Sequence, residues 1–136
     1  MRVILDTNVV MSGIFFGGAP RQILAAWRSG QLQIVCTDEI FQEYRRVGEL
    51  LKERYPGVDP GPVLDLIHWH GESVKPNVLE DTVTTDPDDE KFFAAALGGG
   101  VSTIVSGDKH VLAAAGWGGI AVLKPADFVR TAMKLE

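Results

Sequence analysis

Val3-Ile4-Leu5-Asp6-Thr7-Asn8 opens the chain with a short apolar run that ends in three polar residues. Such a run predicts a buried strand that ends at Asp6 in a polar turn. Glycines within residues 13–18 predict an irregular segment after this turn, before a helix that begins at Pro20 and ends at Gly30. A strand followed by a helix is the unit from which parallel sheets are built.

The same alternation continues along the rest of the chain. Further strands are predicted at residues 33–36, 101–106 and 121–123, with an extended segment near 73–76. Further helices are predicted after a Thr37 N-cap to before Pro56, and at 63–69, 86–98, 110–115 and 125–135. We therefore predict an α/β fold, a Rossmann-like, mainly parallel sheet of four to five strands flanked by helices, in a single domain over residues 1–136.

Composition narrows the class of protein. Hydrophobic residues make up 46% of the 136 residues and charged residues 23%, which excludes a disordered tail and a membrane-embedded chain. The single cysteine, Cys36, cannot form an intramolecular disulfide, and no signal-like apolar segment precedes the first strand, so we expect a cytoplasmic protein with no membrane partner. A net charge of −5 means that any contact with nucleic acid is local.

Two aspartates follow predicted strands. Asp6 ends the first strand, and Asp108 follows the strand that ends at Ser106. Aspartate also favours turns for purely structural reasons, because its side chain bonds the following backbone. If the strands are parallel, however, both carboxylates lie at the same edge of the sheet, where α/β proteins gather their functional groups.

Two further acids are selected by helical phase. Glu43 lies along the margin of the buried stripe of its helix, whereas Glu39 is rotated toward solvent. Asp89 precedes the apolar residues of the next long helix by three, four and seven positions and so points at the sheet; Asp88 and Asp86 remain alternatives. A solvated glutamate at the helix rim and acids that complement the helix dipole are the structural alternatives.

An inward-facing carboxylate needs a partner, because a buried unpaired charge costs several kcal/mol. No arginine or lysine occupies an evident pairing position on the two inward faces, so we expect Asp6, Glu43, Asp89 and Asp108 to converge on Mg²⁺ or Mn²⁺. Such a site suits the hydrolysis of phosphodiesters by metal-activated water. The basic residues near these acids in sequence are the candidate RNA contacts: Arg21, Arg45, Arg46, Lys91 and Lys109.

Four segments, in this order, resemble the motifs of PIN-domain proteins. They are Ile4-Leu5-Asp6-Thr7-Asn8-Val9, Thr37-Asp38-Glu39-Ile40 with Glu43-Tyr44, Asp86-Pro87-Asp88-Asp89 with Lys91-Phe92, and Ile104-Val105-Ser106-Gly107-Asp108-Lys109. The chain is similar in particular to the branch described as toxins of bacterial or archaeal toxin–antitoxin systems, the VapC-like ribonucleases. The resemblance extends from Met1 to the segment that ends at Phe128.

This resemblance implies a Mg²⁺- or Mn²⁺-dependent endoribonuclease. It implies that Asp6, Glu43, Asp89 and Asp108 form the acidic metal-binding set, and that Asn8 and Ser106 support the site through hydrogen bonds. As partners it implies an RNA substrate, a second copy of the chain and an antitoxin protein that blocks the pocket.

Two rival functions stay open. One is a PIN-like module that binds RNA or a protein but does not cut. The other is a Mg²⁺-dependent phosphatase of the haloacid-dehalogenase type with an aspartyl nucleophile. Such a phosphatase normally carries a second acid two residues after the nucleophile, where this chain has Asn8.

Overall fold

The computed structural model describes residues 1–133, which form a five-stranded sheet with helices packed around it. The strands are β1 (Arg2–Leu5), β2 (Gln33–Cys36), β3 (Glu72–Ser73), β4 (Thr103–Val105) and β5 (Ala121–Leu123). The α-helices are α1 (Thr7–Phe15), α2 (Gly18–Arg28), α3 (Asp38–Arg54), α4 (Gly61–His70), α5 (Glu90–Gly99), α6 (Lys109–Ala113) and α7 (Pro125–Asp127).

The sheet has the order β3-β2-β1-β4-β5, and every pair of neighbours is parallel. The predicted α/β fold with a parallel sheet is therefore confirmed, with five strands. The central strands β1 and β4 pair Ile4 with Ile104 and Leu5 with Val105. Because all strands run the same way, the residues that follow β1 and β4 lie side by side at one edge, which we call the carboxyl edge.

The prediction of an irregular segment between Asp6 and Pro20 is wrong, because residues 7–15 form the mostly buried helix α1. Gly13 lies inside this helix, and a Cβ placed on it would be 2.6 Å from Leu24 Cδ1 and 3.0 Å from the Pro20 carbonyl. The glycine therefore lets α1 approach the following helix closely. The sequence prediction treated Gly13 as a residue that breaks a helix, whereas in the structure it allows two helices to pack closely.

Helix α3 begins and ends close to its predicted bounds. Thr37 is its N-cap and accepts a hydrogen bond from the Ile40 amide at 3.3 Å, as predicted. The fully buried Tyr44 donates its hydroxyl hydrogen bond to the Leu5 carbonyl over 2.6 Å. This bond fastens α3 to the end of β1, and it thereby places Glu43, the preceding residue, beside the carboxyl edge.

The last predicted helix, residues 125–135, is shorter and less regular than expected. Helix α7 passes into a π-helical turn at Phe128–Ala132, and Leu135 lies outside the described residues. Among residues 1–133, no single helix is both long and apolar enough to cross a membrane; α1 and α2 pass that test only when joined, and they are bent by 94°.

Gly98 marks a second close approach, and its replacement tests the packing of α5. A Cβ there would lie 1.9 Å from the Lys75 carbonyl oxygen, on a loop held by the hydrogen bond from Asn77 N to Ala94 O. Alanine favours a helix interior by about 1 kcal/mol over glycine, but the backbone must shift to admit the methyl group. We expect Gly98→Ala to lower the free energy of unfolding by about 1–3 kcal/mol in urea titrations.

Gly57→Ala is the control for this prediction, because a Cβ added there would have no neighbouring atom within 4 Å and the φ of Gly57 is not positive. It should leave stability unchanged or slightly raised, by up to about 1 kcal/mol. Equal stability of both variants would show that the contact between α5 and the 75–77 loop is not tight.

Candidate functional site

Asp6 and Ser106 meet at the carboxyl edge, because their strands β1 and β4 are neighbours. The Ser106 hydroxyl donates to Asp6 Oδ2 at 2.6 Å, and both residues are buried. Asp6 Oδ1 accepts from the Asn8 amide at 3.3 Å and so caps α1. Burial raises the pKa of Asp6; the bonds from Ser106 and Asn8 oppose this rise, and the nearby negative charge of Asp108 adds to it.

Asp108 lies on the same edge and begins α6. Its Oδ1 accepts from the backbone amides of His110 at 2.7 Å and Val111 at 3.4 Å, and its own amide donates to Ser106 Oγ at 3.0 Å. Ser106 therefore links the two aspartates directly. The prediction that Asp6 and Asp108 share one edge agrees with this geometry.

Asp89 ends a 3₁₀-helical turn at Pro87–Asp89 and lies close enough to Asp6 and Asp108 for their negative charges to act on its own pKa. Its Oδ2 atom is buried and has no hydrogen-bond partner among the described residues. Burial raises the pKa of Asp89 to about 6, with further contributions from the negative charges of Asp108 and Asp6. We call Asp6, Asp89 and Asp108 the aspartate cluster.

Glu43 is already paired. Lys91 Nζ lies 2.5 Å from Glu43 Oε2, and the hydroxyl of Thr7 donates to Glu43 Oε1. The Lys91 side chain is only 5% exposed, and it also contacts Asp88 through the backbone carbonyl at 2.6 Å and the carboxylate at 3.2 Å. Burial disfavours the ammonium ion, but Glu43 and Asp88 outweigh that effect and raise the pKa of Lys91.

Two expectations are therefore wrong. Glu43 does have a basic partner, and Lys91 is buried against acids rather than placed on the surface to contact RNA. The physical reason is that α5 packs against α3, which brings together two residues far apart in sequence. Helical phase located Glu43 near the site, but it gave no means of finding a partner on another helix.

The aspartate cluster provides the oxygen ligands that Mg²⁺ and Mn²⁺ prefer. Within residues 1–133, no three Asp, Glu, His or Cys side chains already stand in a metal-binding arrangement. The unpartnered Asp89 Oδ2 and the mutual repulsion of the three carboxylates fit a divalent cation, which would satisfy the first and relieve the second. Both oxygens of Glu43 are engaged in the structure, Oε1 by Thr7 and Oε2 by Lys91.

Asp86, one of the two alternatives to Asp89, lies near the aspartate cluster, since its negative charge adds to the rise in the pKa of Asp89. Asp86 caps the 3₁₀ turn by accepting from the Asp88 amide at 3.0 Å, and the Asp88 side chain is exposed. Glu39 is exposed, as its helical phase predicts. His110 is the histidine nearest to the aspartates in sequence, and its Nδ1 lies 2.7 Å from the Thr85 hydroxyl.

The other candidate RNA contacts differ in whether their side chains are free to reach a substrate. Arg21 donates to the carbonyls of Gly13 at 3.0 Å and Ile14 at 3.3 Å, so it closes the end of α1 instead of reaching for a substrate. Arg45 pairs with Asp65 at 3.2 Å on the surface. Lys109 is exposed and lines a cleft of about 510 Å³ together with Asn8 and Asp108.

Asp108 is the member of the aspartate cluster that lines this cleft. Asn8 is exposed and lines the cleft with its side chain, while its backbone amide bonds Asp6. A larger cavity, of about 690 Å³, lies at the opposite edge of the sheet among Arg2, Trp27 and His70, and it touches none of the predicted site residues.

A parallel α/β sheet with carboxylates gathered beyond two neighbouring strands defines an α/β protein with an acidic site at the carboxyl edge of its sheet. The sequence profile of the PIN domain matches residues 2–110, a span that contains all four predicted acids. The chain therefore belongs to the PIN-domain family. PIN domains are commonly nucleases, and PIN nucleases generally use divalent metal ions. No curated protein matches this chain at a significant level.

Proposed function

We propose that this protein is a Mg²⁺- or Mn²⁺-dependent endoribonuclease that hydrolyses RNA phosphodiester bonds. The observation that carries the proposal is the aspartate cluster, in which Asp89 Oδ2 is buried without a partner beside Asp6 and Asp108. An arrangement that crowds negative charge is unfavourable for the fold itself, and a bound cation removes that cost.

Each residue of the site has its own task in this proposal. Asp6 and Asp108 would hold the cation, and Ser106 fixes their relative position through its two hydrogen bonds. Asp89 is a ligand or orients the attacking water at Oδ2. When bound, Mg²⁺ or Mn²⁺ supplies Lewis-acid stabilisation of the charge that develops on the phosphate and on the leaving oxygen.

Glu43 acts on the site indirectly in this proposal. Lys91 and Thr7 hold its carboxylate, so it shapes the wall of the site and keeps a positive charge beside the aspartates. The RNA reaches the cluster through the cleft lined by Asn8 and Lys109. Water then attacks phosphorus, the P–O bond to the leaving strand breaks, and that strand departs as an alcohol.

The non-cutting module is favoured by one observation, the pairing of Glu43 with Lys91 in place of a metal ion. A cleavage assay separates it from the nuclease. We expect single-stranded RNA to be cut in Mn²⁺ or Mg²⁺ but not in EDTA, while a small phosphate monoester is left intact. Mn²⁺ at about 100 times its Kd should also stabilise the fold by about 2.7 kcal/mol, seen as a rise in Tm.

The absence of both cleavage and a Tm shift would support the module. Hydrolysis of the monoester alone would support the phosphatase, which Asn8 disfavours by occupying the position of its second acid.

The wider biological role is part of the same proposal. We propose that residues 1–136 form one domain, since β5 lies beyond the matched residues 2–110 yet pairs with β4 in the same sheet. We propose further that the protein acts in the cytoplasm as a toxin, with an antitoxin and a second copy of the chain as partners. Co-purification with the product of a neighbouring reading frame, together with relief of RNA cleavage, would test the antitoxin.

A further inference from the structure

A small pocket opens at the carboxyl edge outside the aspartate cluster. It has a volume of about 110 Å³ and lies where β2 and β3 end, since its lining includes Cys36, Thr37 and Ser73. Strand β3 is two places from β1 in the sheet, a separation of about 10 Å at the usual spacing of strands. A short nucleic-acid strand can bridge that distance.

Aromatic rings form one side of this pocket. Phe41 and His68 line it with ring centroids 5.5 Å apart, and Trp69 follows at 4.9 Å from His68. Trp69 is 76% exposed, so most of its ring is available to a ligand. The pocket is smaller than the roughly 300–1,000 Å³ that a whole small-molecule ligand occupies, so it suits a single ring.

Two arginines on α3 lie near these rings and Glu43, Arg45 beside the Phe41 ring and Arg46 beside Glu43. The Arg45 guanidinium lies 5.0 Å from the Phe41 ring, and Arg46 Nη2 lies 3.9 Å from Glu43 Oε2. The pairing of Arg45 with Asp65 joins two exposed side chains, which contributes at most about 1 kcal/mol, so a phosphate can replace the carboxylate. The surface therefore offers positive charge for a backbone and rings for a base.

We propose that this pocket, with Phe41, His68 and Trp69, is a nucleobase subsite for single-stranded RNA bound across the aspartate cluster. The inference rests on the proposed function, because it assumes that the polyanion at the aspartates is RNA. Unpaired bases can turn out and stack on aromatic side chains, whereas bases within a duplex cannot. Arg45 and Arg46 contact the phosphates between the stacked base and the scissile bond.

Binding of a labelled RNA oligonucleotide tests the subsite. Fluorescence anisotropy in Ca²⁺, which takes oxygen ligands as Mg²⁺ does, measures Kd without relying on turnover. Base stacking on aromatic residues contributes about 1–3 kcal/mol per base, so the double variant His68→Ala/Trp69→Ala should bind single-stranded RNA at least about tenfold more weakly. An abasic strand of the same length should bind both proteins equally.

Phe16→Ala is the matched control, because Phe16 is an aromatic residue that is 60% exposed just after the far end of α1. It should bind RNA as the wild type does. An unchanged Kd for the double variant, or an equal loss on the abasic strand, would overturn the subsite. Trp69-dependent self-association, seen by gel filtration, together with an unchanged Kd would assign this surface to a second copy of the chain.

Cleavage in Mn²⁺ by the same preparations separates the two proposals. If the wild type does not cut RNA but the double variant binds it at least about tenfold more weakly, the proposed function fails and the subsite stands. If the wild type cuts RNA and the double variant has an unchanged Kd, only the subsite fails.

Discussion

Replacing Asp89 by asparagine is expected to abolish RNA cleavage while making the metal-free protein more stable. Burial of the carboxylate, and then the negative charges of Asp108 and Asp6, raise its pKa to about 6, so its ionised form opposes folding at neutral pH. Asparagine keeps the shape but removes the charge. We expect cleavage to fall at least about a hundredfold, as when one well-placed group is removed from an active site, and Tm in EDTA to rise.

The stability effect should depend on pH in a defined direction. A carboxylate whose pKa is raised to about 6 on folding, from an ordinary 3.8, contributes stability that is present below its ordinary pKa and is lost as the pH rises through 6. In EDTA the wild type should therefore approach the stability of Asp89→Asn as the pH falls from about 7.5 to about 5.

Asp6→Asn should likewise lose cleavage, since burial and neighbouring charge also raise its pKa. Asp81→Asn is the control, because Asp81 is exposed, and it should retain both activity and stability. Full cleavage by both Asp89→Asn and Asp6→Asn would contradict the assignment of the aspartate cluster. A lower Tm of the metal-free Asp89→Asn protein would contradict the account of charge crowding.

Replacing Lys91 by methionine is expected to cause the largest loss of stability of any single change considered. The Lys91 side chain is 5% exposed, and its removal leaves the Glu43 carboxylate, itself 15% exposed, without its buried cation; only the exposed Arg46, at 3.9 Å, remains near it. Breaking a buried ion pair by removing one partner costs about 3–5 kcal/mol, whereas replacing both partners is often nearly neutral. Urea unfolding of Lys91→Met should show a loss of that size.

The double variant Glu43→Gln/Lys91→Met keeps this prediction testable even if the single variant does not fold. It should recover most of the lost stability, because no unpaired charge remains. Lys75→Met serves as the surface control, since Lys75 is exposed. Equal stability of Lys91→Met and Lys75→Met would mean that the pair between α3 and α5 does not hold Glu43.

Local signals in the sequence located most of the elements and the centre of the site. Thr37 was recognisable as an N-cap because capping depends on residues only three positions apart. Helix α1 escaped prediction, because the glycine that interrupts its pattern is explained only by contact with Leu24 on another helix. Similarly, nothing near His68 in sequence reveals that its neighbours in space include Phe41 of α3.

The sequence by itself determined the strand–helix alternation, and with it the position of Asp6 and Asp108 at one edge, because the ends of parallel strands share an edge; that the two meet depends on β1 and β4 being neighbours in the sheet. Only the tertiary structure decided the partner of Glu43. Whether a carboxylate faces a metal ion, water or an ammonium group depends on how α3 and α5 pack, and in this protein that packing places Lys91 Nζ against it.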